Sequence, residues 1–310
     1  MDEKMEVIDL LKSKQAIEHE LNTLAYGAVE IRENNANKYI YVHYREDGVA
    51  LTKYVGEYSD ELYNLVLNNG IKAKQLKKQI RETNKKLKQL NYTEEGLSEK
   101  VEQNIDFAKR HLVDTIYKQA ILEGVATTFA DTESIIEGGK VNNMTSEDIL
   151  KIVNLKHAWE FILNKNVILS DTNFALLCEI NKMVEEGFYY SAGKIRNVPV
   201  TIGGTTWKPD LPIESVIKEE LEEIFSKEMD DVDRAIELLL YTMKKQVFID
   251  GNKRTAVIYS NHYLISKGKG IIAIPAELTE EFKDLLITYY EGKDEKQIKK
   301  FIKEKCYMSI

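Results

Sequence analysis

The sequence predicts a mostly α-helical protein: a helical core interrupted by one β-hairpin flap and preceded by a small α+β N-terminal domain. Three observations carry that expectation. Only four prolines occur, Pro199, Pro209, Pro212 and Pro275, so long stretches are free to be helical. Three runs between residues 27 and 58, GAVEIR, KYIYVHYRE and VALTKYVGEY, alternate β-branched and aromatic residues with polar ones. A later stretch, GKIRNVPVTIGGTTWKPDLP, alternates through Ile195, Val198, Val200 and Ile202, turns at Gly203-Gly204 and ends on two prolines.

Taken in order, Leu10 to Ala25 has helical spacing, and the three alternating runs, separated by NNAN and EDG turn signals, form a β-meander. From Ser59 the pattern is helical again, with a heptad-like seam of Ala73, Leu76, Ile80, Thr83, Leu87 and Leu90. Residues 71–90 also hold eight Lys or Arg against one Glu. The seam is expected to pack on the meander or on a second copy of the chain, which would make a homodimer; the basic face of residues 72–88 is the one place where a nucleic acid or acidic partner is conceivable. NYTEEGLSEK, at Asn91 to Lys100, combines turn residues with a capping-type helix start, so the domains are placed at 1–92 and 93–310. Helices follow at Leu97–Glu123, Ser146–Leu163, Asp171–Glu186, Glu214–Phe225, Asp231–Gln246, Lys253–Ser266 and Glu280–Tyr290, with a final one after Asp294.

Bulk composition narrows the class of function. With 310 residues, 43% hydrophobic and 30% charged, the chain can bury a sizeable core. A net charge of −8 argues against a surface built to embrace nucleic acid or anionic lipid. Cys178 and Cys306 are the only cysteines, too few for a disulfide framework and without zinc-site spacing. No window approaches the eighteen or so uncharged apolar residues of a membrane span, and the N-terminus lacks a signal-peptide core, so a cytoplasmic protein is expected.

The segment with chemistry in it is QVFIDGNKRTA, Gln246 to Ala256. Gly251 and Asn252 precede a helical run, and Lys253 and Arg254 fall in its first turn, where a cation meets the positive end of the macrodipole. Two cations belong there if an anion normally sits with them, since the free N–H groups, the dipole and both side chains would converge on it.

A helical core, an extended flap and this loop together resemble the Fic (Fido) family of nucleotidyl- and phosphotransferases, over roughly residues 95 to 305. The family pattern HxFx(D/E)GN(G/K)R is matched by Gln246, Phe248, Asp250, Gly251, Asn252, Lys253 and Arg254 at every defining position but the first. The resemblance implies a Fic-type core that binds ATP and Mg²⁺ and modifies a hydroxyl side chain of a protein substrate. Asp250 would hold the metal, Gly251 would let the backbone approach, and Asn252, Lys253 and Arg254 would contact phosphate. Residues Gly193, Ile195, Val198, Val200 and Ile202 would form the hairpin flap on which the target docks as an added strand. ESIIEG, Glu133 to Gly138, resembles the (S/T)xxxE(G/N) inhibitory helix of one subgroup, which makes Glu137 the candidate restraining residue.

Gln246 stands where the family carries a histidine that acts as general base, and a neutral amide accepts no proton at useful pH. Transfer is therefore expected to be weakened, by about 10²- to 10⁴-fold for a lost base. His262 and the other histidines are expected to be packed or on the surface, while Tyr189 and Tyr190 stay open as substitute bases. Val257 stands where the family has a second arginine, so Glu137 is expected to reach Arg254 instead. Lys253 resembles the Doc subgroup, where a phosphate rather than AMP is transferred. AMP transfer leads these readings; a Doc-like kinase or toxin and a non-catalytic binding module on the same fold are the alternatives.

Overall fold

Residues 3–34, 37–46, 49–92 and 96–310 are described by the computed structural model of the chain. They divide into two units, Met1–Thr93 and Glu94–Ile310. The turns predicted at NNAN and EDG and the break predicted at Asn91–Glu95 fall partly outside the described residues, at 35–36, 47–48 and 93–95.

In the first unit, helix α1 (Glu3–Thr23) starts a full two turns before the predicted Leu10, with Glu3 and Glu6 at its positive end. Strands β1 (Ala28–Asn34), β2 (Asn37–Glu46) and β3 (Val49–Glu57) make an antiparallel meander in the order β1-β2-β3. One face buries Ile40 and Val42 against Val66 of helix α2 (Asp60–Gln89), with Val29, Val55 and Leu62 around them. On the other face, Tyr54 lies 6.2 Å from Tyr39 and 5.5 Å from Tyr41 by ring centroid. Ser59 caps α2 by accepting from the Leu62 N–H, and the predicted seam is real: Ala73, Leu76, Thr83 and Leu87 are buried. The seam packs on α1, which buries Ile8, Leu11 and Lys14, and the eight cations stay exposed.

The second unit is mostly helical, as the proline distribution predicts. The single helix expected over Leu97–Glu123 is broken at His111 into α3 (Glu99–Arg110) and α4 (Leu112–Leu122). It is followed by α5 (Phe129–Ile136), α6 (Ser146–Ile162), α7 (Lys165–Ile168), α8 (Phe174–Val184), α9 (Glu214–Ser226) and α10 (Asp231–Lys245). Then come α11 (Asn252–Ser266), α12 (Thr279–Tyr290) and α13 (Glu295–Phe301). Two-residue strands β4 (Ile271–Ile272) and β5 (Tyr307–Met308), which periodicity cannot detect, pair antiparallel.

Helix α11 is the axis of this unit: Arg254 through Ile265 are all buried, and α10, α8, α6 and α3 pack on it. A helix buried on every side must satisfy its own polar groups. Asn261 does so by exchanging bonds with the Ile272 backbone, accepting at 2.8 Å and donating at 2.8 Å. His262 bonds Thr172 Oγ1 at 2.8 Å and the Val167 carbonyl at 2.9 Å. Burial pushes that imidazole down to about 4, so it is a neutral packed histidine, as expected.

The predicted flap is extended but is not a hairpin with a ladder, since no strand occurs between residues 193 and 213. Arg196, 2% exposed, takes the carbonyls a ladder would have used. Its Nη1 donates to Val198 O at 2.9 Å, its Nη2 to Asp210 O at 2.6 Å, and its Nε to Gln246 O at 2.6 Å. Further along, Thr205 Oγ1 donates to Glu291 Oε1 at 2.8 Å, and Trp207 stacks on Tyr290 with centroids 5.5 Å apart. Arg196→Ala strands three carbonyls and should cost about 2–4 kcal/mol in urea unfolding, with proteolysis appearing between residues 197 and 213; a loss below about 0.5 kcal/mol would contradict the assignment of Arg196 as the flap's anchor.

Candidate functional site

The site is assembled where α10 ends and α11 begins. Helix α10 terminates at Gln246, which adopts the left-handed conformation (φ 49°, ψ 58°). Its side-chain Nε2 turns back to donate to Met243 O at 2.7 Å, while its Oε1 accepts from Asn252 Nδ2 at 3.2 Å. Asn252 closes the loop from the other side, with Oδ1 accepting from Phe248 N at 3.0 Å and Nδ2 donating to Phe248 O at 2.9 Å. Phe248 is 1% exposed and anchors the turn in the core, as its apolar character predicts.

Asn252 therefore departs from the sequence expectation. Both amide protons are spent inside the loop, so the side chain shapes the site and has no donor left for a phosphate. Gln246 is likewise tied on both sides and carries no titratable proton. Tyr189 is 44% exposed and Tyr190 fully exposed. The Tyr189 hydroxyl is pushed up from its ordinary value, chiefly by the Asp250 charge, so it keeps its proton and is no substitute base.

Gly251 opens α11 with φ 72°. A Cβ there would lie 2.3 Å from Glu185 Oε1, so only glycine fits between the loop and that carboxylate. Asp250 projects outward, 53% exposed by side chain, with Oδ1 accepting from Gly251 N at 2.7 Å. Lys253 and Arg254 are in the first turn, as predicted, and the anion they call for is supplied by the protein. Arg254 Nη2 is 2.8 Å from Glu185 Oε1, at the C-terminal end of α8; its Nε is 3.8 Å from Glu123 Oε2, at the end of α4. Lys253 Nζ is 3.5 Å from the same Glu123 oxygen.

Arg254 and Glu185 are 3% and 2% exposed by side chain, and Glu123 is 11%. Two cations thus face three carboxylates, counting Asp250, and the surplus negative charge falls where water is least available. Burial accordingly pushes the Glu185 carboxyl up to about 7, with Arg254 opposing and Asp250 and Glu123 adding to the rise. The guanidinium is still not saturated: among the described residues, buried Nε and Nη1 of Arg254 have no hydrogen-bond acceptor.

Glu137 does not reach Arg254, contrary to the expectation. It caps the C-terminus of α5 and is exposed, and the carboxylates near Arg254 are Glu185, Glu123 and Asp250. Val257, 1% exposed, lines a small cavity with Thr115, Gln119 and Leu122 of α4. Gln119 also grips α11 from that side, its Nε2 donating to Arg254 O at 2.7 Å.

Sequence reasoning missed the residues that join the parts. Asn181 of α8 donates to Asp250 O at 3.0 Å and to Thr255 Oγ1 at 3.1 Å, and accepts from Gly193 N at 2.9 Å. One amide thus fixes the loop, α11 and the root of the flap. Gly193 has φ 74°, and a Cβ there would lie 2.7 Å from Cys178 O. Of the predicted docking residues, Ile195, Val200 and Ile202 are half-buried and Val198 is 46% exposed.

The second unit is thus a helical domain with a buried, glycine-entered helix start ringed by a clamped loop and an anchored extended flap. Residues 171–264 match the family model described as the Fic/DOC family, and the chain contains a domain of that family. Among solved structures, a Fic domain containing signaling protein from Bacteroides thetaiotaomicron is 18% identical at a TM-score of 0.52, covering 62% of this chain and 76% of the other. Fic-1 from C. elegans is 18% identical at 0.53, covering 79% and 77%; a Fic family protein from Desulfovibrio desulfuricans is 12% identical at 0.52, covering 67% and 72%. These likenesses are of fold. No curated protein sequence matches the chain. Among the described residues, no helix is long and apolar enough to cross a membrane.

The raised Glu185 carboxyl has a consequence for stability. Between about pH 4.5 and pH 7 the folded protein holds a proton that the unfolded chain has released, so this group's contribution is full at low pH and is lost as pH rises through the window. Glu185→Gln removes the effect. Its melting temperature relative to wild type should therefore rise between pH 5 and pH 8, and a pH-independent difference would contradict the burial argument.

Proposed function

We propose that this protein binds ATP with Mg²⁺ at the start of α11 and transfers AMP to a hydroxyl side chain of a protein target, with weakened activity. The observation that carries the reading is Arg254: a buried guanidinium at a helix N-terminus with two nitrogens lacking an acceptor. Phosphate oxygens suit those nitrogens, and the first-turn amides of α11 have no intrahelical partner. Lys253, 33% exposed by side chain, adds a cation at the rim.

Asp250 is the residue that would hold Mg²⁺, since its carboxylate is exposed beside the anion site. Among the described residues no set of three His, Cys, Asp or Glu could hold a metal ion unaided, which suits a metal carried in on the phosphates. When bound, the ion supplies charge neutralisation to the phosphate chain. The chain's own residues do the rest: Asn252 and Gln246 fix the loop, Arg254 orients the phosphates, and the flap offers Val198 and its neighbours to the target. In transfer a target oxygen would bond to the α-phosphorus as the bond to the bridging β-phosphate oxygen breaks, pyrophosphate would leave, and the hydroxyl proton would pass to solvent water. Gln246 cannot take it, which is the origin of the weakened rate. Two buried free thiols and the use of ATP accord with a cytoplasmic setting.

A second reading, a non-catalytic binding module, is favoured by one observation: the Gln246 amide is bonded on both sides as a structural cap. Two measurements separate the readings. Arg254→Ala should weaken ATP·Mg binding in calorimetry by about 1.5–3 kcal/mol, the value of a charge-assisted contact, and unchanged affinity would remove the site assignment. Gln246→His should leave binding nearly unchanged and raise AMP incorporation, read as added mass on lysate proteins, by one or more powers of ten within the range of about 10²–10⁴ credited to a base. Tight binding with no incorporation in that variant would leave the binding module standing.

A further inference from the structure

We propose that the outward face of α2 binds the phosphate backbone of double-stranded DNA. This is a property of the first unit, separate from the chemistry at the start of α11. Lys74, Lys78, Arg81, Lys85 and Lys88 recur at steps of four, three, four and three residues, so they form one straight row along α2, and all five are exposed. The opposite face is sealed: Ala73, Leu76, Thr83 and Leu87 are buried, and α1 packs on α2.

The row is short of acids. Glu82 is the single carboxylate of residues 71–90; it stands 3.8 Å from Lys78, and both side chains are more than half exposed, so the pair is weak. Among the described residues, Lys74, Lys85 and Lys88 have no carboxylate in ion-pair range. Arg81 spends only its Nε, on Lys77 O at 3.3 Å in its own helix. Like charges three and four residues apart repel on a helix, so an anion laid along the row stabilises α2. The chemistry of the face selects the polymer. Lys74 to Lys88 spans about 21 Å at about 1.5 Å per residue, and one strand of a duplex sets about six phosphates along that length at about 3.4 Å each. The exposed positions of residues 72–89 carry Lys, Arg, Gln, Asn and Glu only. They offer no ring for an unpaired base to stack on and no apolar wedge for a bilayer. Leu67 and Ile71, exposed on the same face, come before the row. A helix about 10–12 Å across enters the major groove of B-form DNA, about 12 Å wide, and not the narrow one of A-form RNA. Contacts of this kind are to the backbone and carry no sequence preference.

Fluorescence anisotropy of the full chain with a labelled DNA duplex of about 20 base pairs, at salt from about 50 to 200 mM, should show affinity falling with a log–log slope of about −4.5, the value for five neutralised phosphates. The triple variant Lys74→Gln, Lys85→Gln, Lys88→Gln, three exposed changes to another good helix former, should lose at least about tenfold in affinity at the low-salt end and bring the slope to about −2. A second triple variant, Lys53→Gln, Lys296→Gln, Lys305→Gln, removes the same charge from exposed positions elsewhere and should change neither quantity. An RNA duplex of the same length and vesicles containing phosphatidylserine should be bound more weakly than the DNA. The inference is overturned if the DNA is not bound at low salt or if both triple variants weaken it equally, which would make it an effect of net charge. Tighter binding of the RNA or of the vesicles than of the DNA overturns it as well.

Discussion

A guanidinium buried at the positive end of a helix is the constraint from which the rest of the second unit follows. Arg254 is 3% exposed, so the fold must bring carboxylates to its positive charge. It does so by ending two other helices at the same place, α4 at Glu123 and α8 at Glu185. Gly251 is needed because a carboxylate lies against the loop, and Asn181 is needed because α8 must be held to α11 at that point. The flap inherits its position from the same set of bonds, through Asn181 at Gly193 and Arg196 at Gln246.

The site is thus rigid as scaffold and frustrated in charge. Loop 246–252 is closed by four side-chain bonds from Gln246 and Asn252, none of which involves a charged group. The ion-pair cluster beside it is different: three carboxylates share two cations, and two guanidinium nitrogens go without acceptors. A structure with no function at this point would be expected to replace such a cluster by apolar packing, which costs less. The physical tension is located at the start of α11.

What the sequence made legible was local. FxDGNKR identified the helix start because glycine, asparagine and two first-turn cations are neighbours in the chain, and α11 itself was visible as a capped helical run. The seam of α2 and the meander were visible because apolar periodicity is a property of short windows. Glu123, Glu185, Asn181 and Arg196 were not, since each acts on residues some 50 to 130 positions away and looks ordinary in its own window. The same reason accounts for the errors. Glu137 was favoured because ESIIEG resembles a motif, yet the tertiary fold brings two other glutamates to Arg254. The flap alternates like a strand pair, yet one buried arginine consumes the carbonyls that a ladder would have used.

The account centres on one contact, phosphate at Arg254. A crystal structure of the protein with ATP and Mg²⁺ tests it most directly. The expected result is phosphate oxygens within hydrogen-bond distance of the Arg254 guanidinium. Nucleotide bound elsewhere, or phosphate out of reach of Arg254, would contradict the account.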